Sequence, residues 1–143
     1  RAGDGITRSM IGVVLVSHST LSAAFKNAVE HVVGAQSQFV GICIEADDDM
    51  EQRRNDIIAA VAAVDSGEGV VVVTDMFGGT PSNLAISLMR PGKVEILAGM
   101  NLPMLIKLAK AREPQTMQQV LLLSAEAGRK YINIASQVLA ADP

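Results

Sequence analysis

The sequence has 143 residues, of which 49 % are hydrophobic and 19 % charged, and its formal net charge is −3. These values predict one globular domain with a substantial apolar core and exclude a disordered chain. The acidic balance argues against nucleic acid as a partner, because binding to phosphates requires a basic surface.

The first nine residues are polar and aperiodic, and we expect them to be an expression remnant or a disordered extension of a single domain over residues 10–143. After them, β-branched apolar runs alternate with amphipathic segments. The pattern predicts strands over residues 11–16, 39–44, 69–74 and 93–97. It predicts helices over residues 21–33, 50–64, 81–89 and 117–127, and another that is opened by residues 99–103 and reaches 111. Ser19 or Thr20 suits the first N-cap, and Gly128 suits the end of the last helix.

Residues 131–135 fit either a short edge strand or a helical continuation. The regular alternation of strand and helix predicts an α/β domain. We expect a doubly wound, mostly parallel sheet of four strands with helices on both faces, and a fifth antiparallel edge strand if residues 131–135 form one. Ligands of such sheets bind beyond the carboxyl ends of the strands, so the polar residues that follow each strand are the candidates for chemistry.

His18 is the first of these candidates. It follows the first strand between two serines and precedes a helix N-terminus, where anions are favoured. Histidine titrates near neutral pH, so an uncharged imidazole is available as a nucleophile towards phosphorus. The alternative is a capping or buried polar histidine, and the position at the strand end favours the functional interpretation.

Asp75 follows the third strand and should lie on the same edge of the sheet as His18. It can accept a hydrogen bond from the imidazole, or it can form a turn with its own loop. Gly78 and Gly79 permit close approach of the backbone to a ligand, and Thr80 adds a hydroxyl. The loop matches no nucleotide-binding motif, and two histidines and one cysteine at unrelated spacing predict no metal site.

No apolar run reaches the roughly 18 residues of a membrane span, so we expect no direct membrane insertion. The single cysteine, Cys43, cannot form an internal disulfide. Its use fits a reducing compartment, and the expected location is the cytoplasm.

Three stretches resemble the mannose-family IIA component of the bacterial phosphoenolpyruvate-dependent sugar phosphotransferase system (PTS). The first is Ser-His-Ser at residues 17–19, directly after the opening strand. The second, residues 75–85, is close to the family's Asp-x-x-Gly-Gly-Ser/Thr-Pro-x-Asn signature, and residues 98–105 resemble its Gly-Val-Asn-hydrophobic-Pro-Met segment. The chain departs from some members at Ser19, where they have Gly, and at Met76, where they have Thr.

The resemblance implies a phosphotransferase that accepts a phosphoryl group from phospho-HPr on His18. It would pass the group to a separate IIB component for sugar uptake, or use it for regulation. Asp75 would orient His18, and the phosphoryl group would be surrounded by Ser19, Gly78, Gly79 and Thr80. The resemblance also implies a homodimer that needs no cofactor or metal, in which residues 131–135 match a strand that some members exchange between subunits.

Three alternatives remain at this point. A receiver-type signalling domain would be phosphorylated on Asp75, but such domains need an acidic pair after the first strand to hold a divalent cation, and Ser17 and His18 stand there. A simple anion-binding module would use the same loop without transfer. The third alternative is the phosphotransferase subunit of a dihydroxyacetone kinase, whose pattern the Gly-Gly-Thr-Pro loop fits less well.

Overall fold

A computed structural model of the chain describes residues 9–140. In chain order, its elements are β1 (Gly12–His18), α1 (Leu21–Val33), β2 (Phe39–Ile44), α2 (Met50–Val64), β3 (Val70–Thr74), α3 (Thr80–Ile86), β4 (Val94–Ala98), α4 (Leu102–Ala111), α5 (Met117–Lys130) and α6 (Ala135–Ala140). All strand pairs are parallel, in the order β2-β1-β3-β4. The predicted doubly wound α/β fold is confirmed. Of the predicted N-terminal extension, all but Ser9 lies outside the described residues.

Two apolar cores cover the two faces of the sheet, because side chains alternate along each buried strand. On one face, Val13 and Leu15 of β1 pack against α1, α4 and α5. On the other, Val14 and Val16 pack against α2 and α3. This alternation assigns Ser17 to the α1 face and His18 to the face of α2 and α3.

Among the elements at the candidate site, the bounds of β1 and α3 differ from the prediction. β1 runs two residues beyond the prediction, because pairing with β2 continues through Ser17 and His18. α3 begins one residue earlier than expected and ends at Ile86 instead of residue 89. Beyond Ile86 the backbone changes to the tighter hydrogen bonds between residues i and i+3, since Leu88 N–H donates to the carbonyl of Ala85 (2.9 Å).

Gly128 does not end the last predicted helix, and this expectation was wrong. α5 continues through Gly128 to Lys130. A Cβ atom on Gly128 would lie 3.2 Å from Cβ of Met104 in α4. Asn101 Nδ2 also donates to the Gly128 carbonyl (2.8 Å). The glycine therefore permits the close approach of α4 and the last turn of α5 and is not a stop signal.

Residues 131–134 form no strand, and the sheet of the described chain has four strands. Ile132 N–H donates back to Arg129 (3.3 Å), and the carbonyl of Ile134 accepts from Gln137 and Val138 as α6 begins. These backbone groups therefore form hydrogen bonds at the end of α5 and the start of α6, and not with a strand. The edge of β4 that faces away from β3 has no partner strand in the described residues.

Arg112, a buried residue at the end of α4, connects this helix to the sheet through its guanidinium group. It lies over the ring of Phe39 in β2, 5.6 Å from the centroid. It donates to four oxygens on the start of β1 and the turn before β2: the carbonyls of Ile11 (3.3 Å), Gln38 (2.9 Å) and Ser37 (2.6 Å), and Oε1 of Gln36 (3.0 Å).

Replacing Arg112 with methionine should lower the free energy of unfolding by about 3 kcal/mol, because buried carbonyls would lose their donors. Urea denaturation would show a lower midpoint with an unchanged m value. Lys110→Met, at an exposed position of the same helix, is the control and should leave the midpoint unchanged. Equal midpoints for the two variants would contradict this role.

Candidate functional site

His18 and Asp75 meet where the order of the strands reverses. β1 and β3 are neighbours, while their next crossovers lead to opposite edges of the sheet. This is the switch point at which ligands bind in open α/β sheets. The described structure therefore brings the two leading candidates together at the carboxyl end of the sheet.

One carboxylate oxygen of Asp75 makes two contacts with His18. Oδ2 accepts from the backbone N–H of His18 (2.9 Å) and lies 2.8 Å from Nδ1 of its imidazole. The other oxygen, Oδ1, accepts from the N–H of Met76 (3.0 Å). The imidazole is 47 % exposed and the aspartate side chain only 11 %. Asp75 is therefore a nearly covered support for a half-exposed ring.

Asp75 is a carboxylate at neutral pH. Partial burial alone would raise the pKa of this carboxyl, but hydrogen bonds from the backbone and imidazole of His18 outweigh it and hold the pKa below its ordinary value. A carboxylate can only accept, so Nδ1 carries the ring proton. In the uncharged imidazole the lone pair is then on Nε2, the ring nitrogen that does not contact the carboxylate.

The glycine loop packs directly against the imidazole. A Cβ atom on Gly79 would lie 2.7 Å from Cε1 and 3.0 Å from Nε2 of His18. Gly78 has φ +90°, which favours glycine. Its N–H donates to the buried hydroxyl of Ser82 (3.0 Å), which in turn donates to the carbonyl of Gly79 (3.0 Å). Gly78 thus shapes the loop, and its N–H is already used within it.

Gly79→Ala should displace the imidazole of His18 from Asp75, because the added methyl group would lie about 2.7 Å from Cε1 of the ring. The imidazole is half-exposed and can move, so folding should survive. The rate of phosphoryl uptake, which the resemblance to IIA components assigns to His18, should then fall about tenfold or more, the size of effect seen when the partners that orient metal-ligating histidines are removed. Rapid-quench labelling would measure it, with circular dichroism as the folding control. A wild-type rate would show that the close contact has no functional role.

A cleft of about 260 Å³ opens beside the imidazole. The predicted phosphoryl-binding residues Ser19 and Thr80 line it, together with Pro81. Its far wall comes from the end of β2 and the start of α2, through Ile44, Glu45, Ala46 and Met50. Ser19 is held there with φ 52°, and its N–H donates to the carbonyl of Ile44 (2.9 Å). The cleft has room for a small anion beside His18.

Two buried serines, Ser17 and Ser22, connect the end of β1 to α1 beside the site, and the sequence did not predict this role. Ser17 Oγ accepts from the N–H of Ser22 (2.7 Å) and from its hydroxyl (2.8 Å), which ties the end of β1 to α1. Thr20 occupies the N-cap position of α1 without a side-chain cap. The one available signal for Ser17 was strand alternation, which places it on the opposite face from His18.

Other polar residues at this edge have structural partners. Asp49 caps α2 by accepting from Glu51 N–H (3.0 Å), and Asp48 accepts from Glu45 N–H (2.9 Å). Asn101 caps α4 by accepting from Met104 N–H (3.0 Å). Within residues 9–140, no group of three or more metal-ligating side chains occurs, and no helix is long and apolar enough to cross a membrane.

Comparison with known proteins identifies the family. The family model EIIA-man, described as the PTS system fructose IIA component, matches residues 12–122. The PTS system sorbose-specific EIIA component of Lacticaseibacillus casei is 29 % identical over 109 residues, which cover 76 % of this chain and 78 % of that protein. The match includes both strands whose ends carry His18 and Asp75.

A longer relative and a solved structure agree with this result. The PTS system mannose-specific EIIAB component of Escherichia coli (strain K12) is 26 % identical over 85 % of this chain, which spans only 38 % of that protein. The fold matches the crystal structure of phosphotransferase system component EIIA from Streptococcus agalactiae, with a TM-score of 0.80 and 24 % identity over 90 % of this chain and 99 % of that one. None of these findings supports a receiver domain. The chain belongs to the EIIA-man family of PTS IIA components.

Proposed function

We propose that His18 is the phosphoryl acceptor of this IIA component and that Asp75 positions it. The observation that carries this is the 2.8 Å contact between Nδ1 and the ionised Asp75, beside an open cleft. The contact fixes the tautomer in which Nε2 is the nucleophile. Phosphoryl transfer depends mainly on positioning and on charge stabilisation, and this arrangement supplies both without a metal ion.

The proposed step forms one bond and breaks one. The lone pair of Nε2 attacks phosphorus in line, and the donor nitrogen leaves with the electron pair of its N–P bond. His18 keeps the proton on Nδ1, so its ring becomes positively charged as the new N–P bond forms. Asp75 stabilises that charge, and the hydroxyls of Ser19 and Thr80 offer donors to the phosphoryl oxygens. Transfer to the acceptor reverses these changes.

The proposed donor is phospho-HPr, and the proposed acceptor is a separate IIB component. The name of the E. coli relative, EIIAB, joins an A and a B component in one protein. A regulatory use of the phosphoryl group would need the same chemistry at His18. We place the reaction in the cytoplasm, where a free cysteine such as Cys43 stays reduced.

We also propose a homodimer. Exposed apolar side chains cluster at the C-terminal end of the described chain, and they include Leu122, Tyr131, Ile132, Ile134 and Leu139. Surfaces of this kind mark interaction sites. The unpartnered edge of β4 offers backbone groups for a strand from a second copy. Light scattering would test the dimer, and a monomeric mass at micromolar concentration would contradict it.

The decisive experiment is labelling with radioactive phosphoenolpyruvate, enzyme I and HPr, followed by treatment of the product with acid and alkali. A phosphate that is lost in acid and kept in alkali would indicate phosphohistidine. A base-labile product that reacts with hydroxylamine would be an acyl phosphate and would move the acceptor to Asp75. The absence of any label would overturn the proposed function.

A further inference from the structure

A second cavity, of about 640 Å³, opens between the C-terminal end of α2 and the chain that follows α3. The apolar wall of this α2–α3 cavity is formed by six residues: Ile58, Val61, Ala62, Leu88, Met89 and Val94. Since Val94 begins β4, the cavity lies at the amino end of the sheet. It shares no lining residue with the cleft at His18, so the proposed phosphoryl transfer makes no use of it.

Two large apolar side chains of this wall are accessible to solvent. Ile58 is 41 % exposed and Met89 47 %, while Val61 and Val94, also in the wall, are buried. Cavities of this size are typical of sites for small ligands, which combine a mostly apolar lining with a few polar groups that fix the orientation. The wall therefore suits the apolar part of a small molecule.

Arg90 places a positive charge at the cavity. Its backbone is held by two hydrogen bonds with Val94: its N–H donates to the carbonyl of Val94 (2.9 Å), and its carbonyl accepts from the N–H of Val94 (2.8 Å). Within residues 9–140, the guanidinium of Arg90 has no hydrogen bond or ion pair. A guanidinium with free donors favours a carboxylate, which it can bind through two parallel hydrogen bonds.

Asp65, the C-cap of α2, places a negative charge in the same cavity. Its Oδ1 accepts from the N–H groups of Gly67 (2.8 Å) and Gly69 (3.3 Å), which holds the carboxylate in position. The C-terminal end of α2 adds partial negative charge beside it. In the part of the chain that the structure describes, Asp65 and Arg90 form no ion pair with each other. The cavity therefore offers one charge for an ammonium group and another for a carboxylate.

We propose that the α2–α3 cavity binds a zwitterionic amino acid with a large apolar side chain. Arg90 binds the α-carboxylate, Asp65 and the end of α2 bind the α-ammonium group, and the apolar wall covers the side chain. A ligand with a single charge would be repelled by one of these two residues, so a molecule that carries both charges is favoured. This binding is separate from the chemistry at His18 and does not require it.

Equilibrium dialysis of the intact chain against L-tryptophan tests this proposal. The chain has no tryptophan, so indole fluorescence measures the ligand alone. We expect saturable binding with a dissociation constant of about 0.1–1 mM, a range typical of a ligand of this size. N-acetyl-L-tryptophan lacks the ammonium charge and L-tryptophanamide lacks the carboxylate. Each should bind about tenfold more weakly or worse, because one charge-assisted contact is lost.

Variants of the lining residues locate the ligand. Arg90→Gln should weaken the binding of L-tryptophan about tenfold or more but leave that of L-tryptophanamide unchanged, because the amide has no carboxylate to lose. Lys93→Gln is the matched control, since Lys93 is exposed in the same turn but does not line the cavity, and it should bind as wild type. Ala62→Phe should abolish binding by filling the cavity from an exposed position on α2.

Several results would overturn the proposal. They are the absence of saturable binding at about 10 mM L-tryptophan, equal affinity for the three compounds, or unchanged affinity in Ala62→Phe. A change from dimer to monomer in Ala62→Phe, measured by light scattering, would also overturn it, because the cavity would then be an interface between two copies. His18→Ala should bind L-tryptophan as wild type does, and a loss of binding there would place the ligand in the cleft at His18 instead.

Discussion

His18→Ala is expected to take up no phosphoryl group from phospho-HPr. The variant lacks the nitrogen that we propose as the nucleophile. Folding should be preserved, because the ring is 47 % exposed and contributes little to the core. Gel-based labelling with radioactive phosphoenolpyruvate would measure the uptake, and the label should fall below detection.

His31→Ala provides the matched control for this experiment. His31 is the other histidine of the chain, and it is exposed in the last turn of α1. Its variant should be labelled to the wild-type level. Persistence of label in His18→Ala would refute the assignment, and a base-labile bond in that product would point to Asp75.

Asp75→Asn should lower the rate of phosphoryl uptake about 10- to 100-fold, the loss seen when the carboxylate that orients a metal-ligating histidine is removed. The amide is neutral, so it cannot stabilise the charge that develops on the ring. It can also donate to Nδ1, which would favour the wrong tautomer. Rapid-quench kinetics at saturating phospho-HPr would measure the rate of the chemical step.

Nitrogen NMR separates this role from a merely structural one. In the wild type, the ¹⁵N shifts of His18 should report the proton on Nδ1, and Asp75→Asn should shift the population towards the other tautomer. Asp56→Asn is the control, because Asp56 pairs with Arg53 on α2 (2.8 Å) and does not line the cleft. An unchanged tautomer together with an unchanged rate would remove Asp75 from the mechanism.

Local patterns were sufficient to predict most of the fold. The bounds of α1, β2 and α2 agree with those expected from apolar periodicity and from the glycine and acidic breaks around them. Predictions failed where a distant contact decides the local conformation. Gly128 reads as a stop signal in sequence, yet it lies within the last turn of α5, where a Cβ atom would be crowded by Met104 of α4 at 3.2 Å.

The sequence by itself determined the alternation of strands and helices, and it placed His18 and Asp75 at strand ends, because apolar periodicity and strand termini are local properties of the chain. It also marked the glycine loop and the resemblance to PTS IIA components.

Only the tertiary structure decided that one carboxylate oxygen of Asp75 binds both the backbone and the imidazole of His18, 57 residues away in sequence. Only the structure placed Gly79 against the imidazole, and Met76 and Phe77 in solvent beside it. These contacts depend on the strand order β2-β1-β3-β4, which makes β1 and β3 neighbours. Strand order is a long-range property that local periodicity does not encode.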